Sequence, residues 1–138
     1  MSLFKDSKEV EHVFDTFLKE VIDHPIIGPK LKRSKMIVQF QYTDPDAQIT
    51  VDFRDPANVG VLWGETPLAP DVMFRQSSDF SNRFWQGKEN VIAAMAKRQV
   101  TAKGSIPKAL QLIPVIRPSF RIYPQVLQRL GMHHLIIT

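Results

Sequence analysis

Near the start of the chain, apolar residues recur every three or four positions: Val10, Val13, Phe14, Phe17, Leu18, Val21 and Ile22. That spacing lays one apolar stripe along an α-helix. Ser7 and Glu9 mark its beginning, Pro25 stops it, and Gly28-Pro29 is expected to turn the chain. From Met36 the period drops to two. Met36, Val38, Phe40 and Tyr42 alternate with Ile37, Gln39, Gln41 and Thr43; after the turn Asp44-Pro45-Asp46 the alternation resumes through Ala47, Ile49, Val51 and Phe53. Two such segments predict an antiparallel hairpin with one buried and one wet face. Val59, Val61 and Trp63 predict a third strand. Gly64 to Pro70 is too rich in glycine and proline to be regular and reads as a crossing loop, followed by a fourth strand over Asp71–Gln76.

Ser77, Ser78 and Asp79 are suited to cap a helix that carries Phe80, Phe84 and Trp85 and ends at Gly87. Asn90 can cap the next helix, expected to run to about Arg98. Val100–Lys103 reads as a fifth short strand closed by Gly104. Beyond it lie helical pieces interrupted by Pro107, Pro114, Pro118 and Pro124. This order predicts an α+β fold, and 138 residues without repeat or linker predict a single domain over 1–138.

Composition narrows the class without naming a task. The chain is 43% hydrophobic and 23% charged, ordinary for a globular protein. No apolar run approaches the ~18 to 20 residues that span a bilayer. The N-terminal pattern is not that of a secretory signal, and Leu135-Ile136-Ile137-Thr138 is not a peroxisomal ending. With no cysteine there is neither a disulfide framework nor a thiol nucleophile, and the expected compartment is the cytoplasm. The net charge of +4 is mild, and basic and aromatic residues are not interleaved on one strand face, so nucleic acid is not an expected partner. One basic cluster, Lys30, Lys32, Arg33 and Lys35, follows Ile26 and Ile27. It reads either as a solvated loop or as a transient docking point on an anionic membrane, worth about 1 kcal/mol per basic residue.

Reactive chemistry is sparse. The chain has no Gly-x-Ser-x-Gly elbow, phosphate-cradling loop or dinucleotide fingerprint. Of the histidines, His12 falls on the polar side of the first helix, and His133 and His134 read as a frayed end; neither arrangement offers metal-ligand spacing. The carboxylate pairs Asp44 with Asp46 and Asp52 with Asp55 lie in or beside turns, where aspartate bonds the local backbone. Trp63 and Trp85 are expected core anchors. Neither catalytic residues, nor a metal site, nor a cofactor is expected. By contrast, segments 80–95 and 109–123 carry apolar residues on more than one side, and the excess must face the core, a cavity or a partner.

The stretch from Asp79 to Leu112 resembles the sterol carrier protein 2 domain family. The matching features are a strand at Val72–Gln76, an acidic-capped helix at Asp79–Gly87 and an Ala-rich helix at Val91–Ala96. After these come a short strand at Val100–Ala102, the turn Lys103-Gly104, and Ala109-Leu110-Gln111-Leu112. Lys97-Arg98-Gln99 departs from the small residue and glycine common before the last strand. The resemblance covers about Ser7 to Leu130. It implies a five-stranded, mostly antiparallel sheet with helices on one face and an apolar tunnel between them that holds a lipid.

On that reading Phe80, Phe84, Trp85, Ile92 and Met95 are expected at the tunnel wall or lid. Leu112, Ile113, Ile116, Phe120 and Tyr123 of the proline-broken tail are expected to close one end, with Met73 and Leu110 also against the ligand. The implied function is noncatalytic binding or transfer of a fatty acyl, sterol-like or isoprenoid molecule by a monomer. The alternative is a protein-interaction or lipid-presenting accessory module for an enzyme of lipid or quinone metabolism.

Overall fold

The computed structural model describes residues 2–137, so Met1 and Thr138, the outermost residues of the expected domain, lie outside the described residues. The amphipathic stripe forms α1 (Ser7–Asp23), with all seven of its apolar positions buried. Its cap is Asp6 rather than Ser7: the Asp6 carboxylate accepts from the Glu9 backbone N–H at 2.9 Å, satisfying a donor the first turn leaves free.

The chain does not turn at Gly28-Pro29. Ile27–Lys32 forms α2, with Pro29 in the first turn, where a missing N–H costs no helical hydrogen bond. His24 Nδ1 accepts from the backbone N–H groups of Ile26 and Ile27, at 3.1 and 3.2 Å, and so stands in for a cap. Gly28 is there for lack of room: a Cβ would sit 2.1 Å from the Ile22 carbonyl oxygen. Close approach of α2 to the end of α1 therefore depends on glycine.

The alternating segments form β1 (Ile37–Thr43), β2 (Ala47–Asp52), β3 (Gly60–Trp63), β4 (Val72–Ser77) and β5 (Thr101–Gly104). They make one sheet in the order β3-β2-β1-β4-β5, antiparallel except for the parallel pair β1–β4. The parallel pair follows from the path of segment 64–71. At one end the Gly64 N–H bonds the Gln48 carbonyl at 2.8 Å, beside the start of β2. At the other, the Asp71 N–H bonds the Ile37 carbonyl at 2.8 Å, and the Asp71 carboxylate accepts from the Ile37 N–H at 2.7 Å. The segment thus carries the chain from one end of the sheet to the other.

Val38, Tyr42, Ile49, Val51, Val72 and Phe74 alternate onto one buried face. The opposite face is not simply wet. Gln39 and Thr50 are buried there and share a 3.0 Å hydrogen bond between side chains.

Ser77 Oγ accepts from the Phe80 N–H and starts α3 (Ser78–Phe84), and Gly87 follows its end at φ 75. Asn90 Oδ1 accepts from the Ala93 N–H and starts α4 (Val91–Ala96), which stops short of Arg98, a residue in the left-handed region at φ 61. The tail folds as α5 (Ile106–Leu110), α6 (Ile113–Ile116) and α7 (Ser119–Arg129). Pro107 and Pro114 sit in first turns, and Pro118 caps α7. Pro124 does not break α7, contrary to expectation. Tyr123, Val126 and Leu127 are fully buried on the side that packs against α1, and this burial outweighs the ~3 kcal/mol an interior proline costs.

The chain end is not frayed either. Residues His133–Leu135 form a 3-10 turn, Leu135 is fully buried, and its carbonyl accepts from Asn82 Nδ2 and Gln86 Nε2, both at 2.9 Å.

Candidate functional site

Between the helices and the inner face of the sheet lies a cavity of about 110 Å3. The alternation of the strands supplies its floor: Val38 and Phe40 from β1, Val51 from β2, Phe74 and Gln76 from β4. Phe40 and Phe74 stack across the parallel strand pair at 5.9 Å. One wall is the C-terminal half of α1, through Leu18, Val21 and Ile22. The roof is made of short helices, α4, α5 and α6, which are six, five and four residues long. α6 leans on α2.

The structure sorts the expected site residues into groups. Phe84, Trp85, Leu110, Leu112, Ile113 and Ile116 line the cavity. Phe84 and Trp85 meet edge to face at 5.0 Å, and Trp85 meets Phe17 of α1 in the same way at 4.9 Å. Phe120 stands behind Phe84 at 5.5 Å without lining the cavity. Phe80 and Tyr123 are core residues, 2% and 0% exposed; Tyr123 packs edge-on against Phe17 at 4.8 Å. Met95 packs against the core from a half-buried position.

Ile92 points away from the interior and is 64% exposed, because the one-sided stripe of so short a helix turns Ala94 inward instead. Met73 lies on the outer face of β4, in register with Gln39 and Lys103, one residue out of phase with the inward Val72 and Phe74. The basic cluster is helical rather than looped: Lys30 and Lys32 lie on α2, Arg33 caps it, and Lys35 follows at φ 53.

The sequence reading missed the floor and the α1 wall as parts of a cavity. It had placed their residues on one buried face, and a second apolar layer opposite that face was the available clue. It also passed over Gln76, a polar residue where the Val72, Phe74 rhythm calls for an apolar one.

Electrostatically the cavity is featureless. Among the described residues no Lys, Arg, His, Asp or Glu lines it. The nearby aromatic hydroxyls stay neutral: burial pushes Tyr42 and Tyr123 well above the usual tyrosine range. Among the described residues there is no cluster of three His, Cys, Asp or Glu able to hold a metal, and no helix long and apolar enough to cross a membrane. The carboxylates of Asp52 and Asp55 serve local structure. Asp52 forms a bidentate ion pair with Arg54 at 2.8 Å, which holds its carboxyl below the usual range, and Asp55 closes its own turn through the Ala57 N–H.

The fold has close counterparts among solved structures. Sterol carrier protein 2 from Yarrowia lipolytica in its apo form superposes with a TM-score of 0.65 at 19% identity, over 86% of this chain and 98% of that one. The sterol carrier protein domain 2 of Helicoverpa armigera gives 0.65 at 16% identity, over 81% and 89%. A UbiJ-SCP2 ubiquinone synthesis protein gives 0.52 at 12% identity, over 87% and 89%. At these identities the likeness speaks for the fold alone. No curated protein matches the chain by sequence. The sequence model of the SCP-2 sterol transfer family does match, over residues 14–117, a span that runs from the α1 wall through the roof helices to the end of α6. With that match over most of its length, the chain belongs to the SCP-2 sterol transfer family.

Proposed function

We propose that the protein is a noncatalytic lipid carrier that takes a fatty acyl, sterol-like or isoprenoid molecule into the space between sheet and roof. The observation that carries this reading is the cavity wall, which among the described residues is apolar apart from Gln76 and the indole N–H of Trp85 and has no charged side chain. Such a wall has no acid, base or nucleophile to offer a substrate, whereas it suits an alkyl chain, each buried methylene contributing ~0.8 kcal/mol.

The cavity is smaller than such a guest. A site of about 150 Å3 holds a benzene, and here the space is about 110 Å3. Entry therefore requires the roof to lift. Helices of four to six residues suit that role, being too short to hold their conformation without tertiary packing. Opened along α5 and α6, the cavity would become the tunnel expected of this family.

Docking on an anionic membrane completes the reading. Lys30 and Arg33 are exposed on and beside α2, and Ile26, 62% exposed, precedes them. Leu31 of the same helix lines the cavity, so a membrane that binds α2 touches the element that borders the guest. A second reading, a lipid-presenting accessory to an enzyme of lipid or quinone metabolism, draws on the likeness to the UbiJ-SCP2 ubiquinone synthesis protein and on the exposed Ile92 of α4.

Native mass spectrometry of the purified protein tests the carrier reading. A co-purified lipid mass, released on denaturation, supports the carrier. Bare protein that gains no mass when offered acyl, sterol and isoprenoid lipids overturns it.

A further inference from the structure

Among the described residues Gln76 is the one side chain of the cavity wall that carries an oxygen, the indole N–H of Trp85 being the other polar group there. It occupies the inward phase of β4, after Val72 and Phe74, and is 7% exposed. Its carboxamide makes no hydrogen bond with any described side chain or backbone group, and among the described residues neither of its polar atoms is sealed from solvent. The carboxamide thus keeps some accessible surface, on a residue that lines the cavity.

A carboxamide set in an apolar wall with no protein partner is held only by whatever reaches it there, and methionine or leucine would fill the position at lower cost. The arrangement gains meaning only with a partner inside the cavity. Two N–H donors and a carbonyl acceptor let the group serve a hydroxyl or a carbonyl oxygen equally. They do not serve an anion, which would lie in an apolar wall with no cation to pair it.

We infer that Gln76 recognises a neutral oxygen, hydroxyl or carbonyl, on the guest, and that the cavity selects uncharged oxygenated lipids over plain hydrocarbons and over lipids whose anionic head must enter. The inference rests on the carrier reading and deepens it by naming the class of guest.

The experiment compares 1-hexadecanol, hexadecane and hexadecyl phosphate, equal in chain length, delivered from cyclodextrin to wild type and to Gln76→Met. The variant should lose about tenfold in affinity for the alcohol, the factor carried by one well-placed hydrogen bond. Its affinity for hexadecane should stay level or rise, and wild type should bind the phosphate more weakly than the alcohol. An alcohol-to-alkane ratio unchanged by the substitution, or tighter binding of the phosphate, overturns the inference while leaving the carrier reading in place. Wild type that binds none of the three overturns both. A measurement on wild type alone guards against misfolding of the variant: the Gln76 side-chain amide resonances should move with 1-hexadecanol and not with hexadecane. Resonances that stay still on saturation with the alcohol count against the inference equally.

Discussion

The Tyr123 hydroxyl donates a 2.7 Å hydrogen bond to Asn82 Oδ1, and both residues are fully buried. Asn82 also donates to the Leu135 carbonyl and receives a bond from Gln86, so one side chain joins α3, α7 and the chain end. Asn82→Ala should cost about 3 kcal/mol, because it orphans a buried hydroxyl and removes one of the two donors to the Leu135 carbonyl. Tyr123→Phe should cost only about 1 kcal/mol, since Gln86 still satisfies Asn82 Oδ1. Urea unfolding of the two variants checks the ranking; equal losses would contradict it.

Gly28→Ala should destabilise by about 3 kcal/mol, at the upper end of overpacking, because its Cβ would meet backbone rather than a yielding side chain. Gly64→Ala probes the opposite case: it has open space but φ 87, so its cost should be about 1 kcal/mol from backbone strain alone. Thermal or urea midpoints decide between the two origins.

Alkaline pH should unfold the protein from about pH 10 upward. Burial raises the pKa of Tyr42 and Tyr123 in the folded state, whereas in the unfolded chain they titrate near 10. Above that value the unfolded state binds fewer protons than the folded one. The stabilisation is therefore complete below pH 10 and lost as pH rises toward the folded pKa, by about 1.4 kcal/mol per pH unit for each tyrosine. Tyr42→Phe should flatten the slope measured between pH 10 and 11; an unchanged slope would assign the alkaline loss to other groups.

Trp85 is 4% exposed and lines the cavity, while Trp63 is held outside it by a 2.9 Å bond from its indole N–H to Asp15. In Trp63→Phe, 1-hexadecanol should therefore change the remaining tryptophan emission. Ile113→Gln with Ile116→Gln should weaken that response about tenfold or more. Both side chains are only half-buried, so the unliganded fold should lose about 1 to 2 kcal/mol. Full binding by the double variant would remove α6 from the roof's role.

Neutralising Lys30, Lys32, Arg33 and Lys35 should slow transfer to anionic vesicles at 0.1 M salt and make no difference at 1 M. The Debye length falls from ~10 Å to ~3 Å between these conditions. Equal rates for wild type and variant at low salt would leave the cluster as ordinary solvated surface.

Local pattern carried the strands and the long helix, but not the strand order or the parallel β1–β4 pair. The stripe from Val10 to Ile22 and the alternations around Asp44–Asp46 depend only on the geometry of a chain with one buried face, so they can be read without neighbours. Ser77, Gly87 and Asn90 are likewise local, each answering a need of the helix end beside it. Contact with distant groups decided the rest. α2 requires glycine at position 28 because the Ile22 carbonyl leaves no room for a Cβ, α7 survives Pro124 because α1 covers it, and the chain end is held by Asn82 and Gln86. The same limit governed the site. Phe80, Phe84, Trp85 and Tyr123 are all buried aromatics, yet only Phe84 and Trp85 border the cavity. Burial of apolar surface is non-directional, so a pattern marks which residues leave water without telling what stands on their other side. Only the packing of the roof over the sheet separates a core residue from a cavity wall.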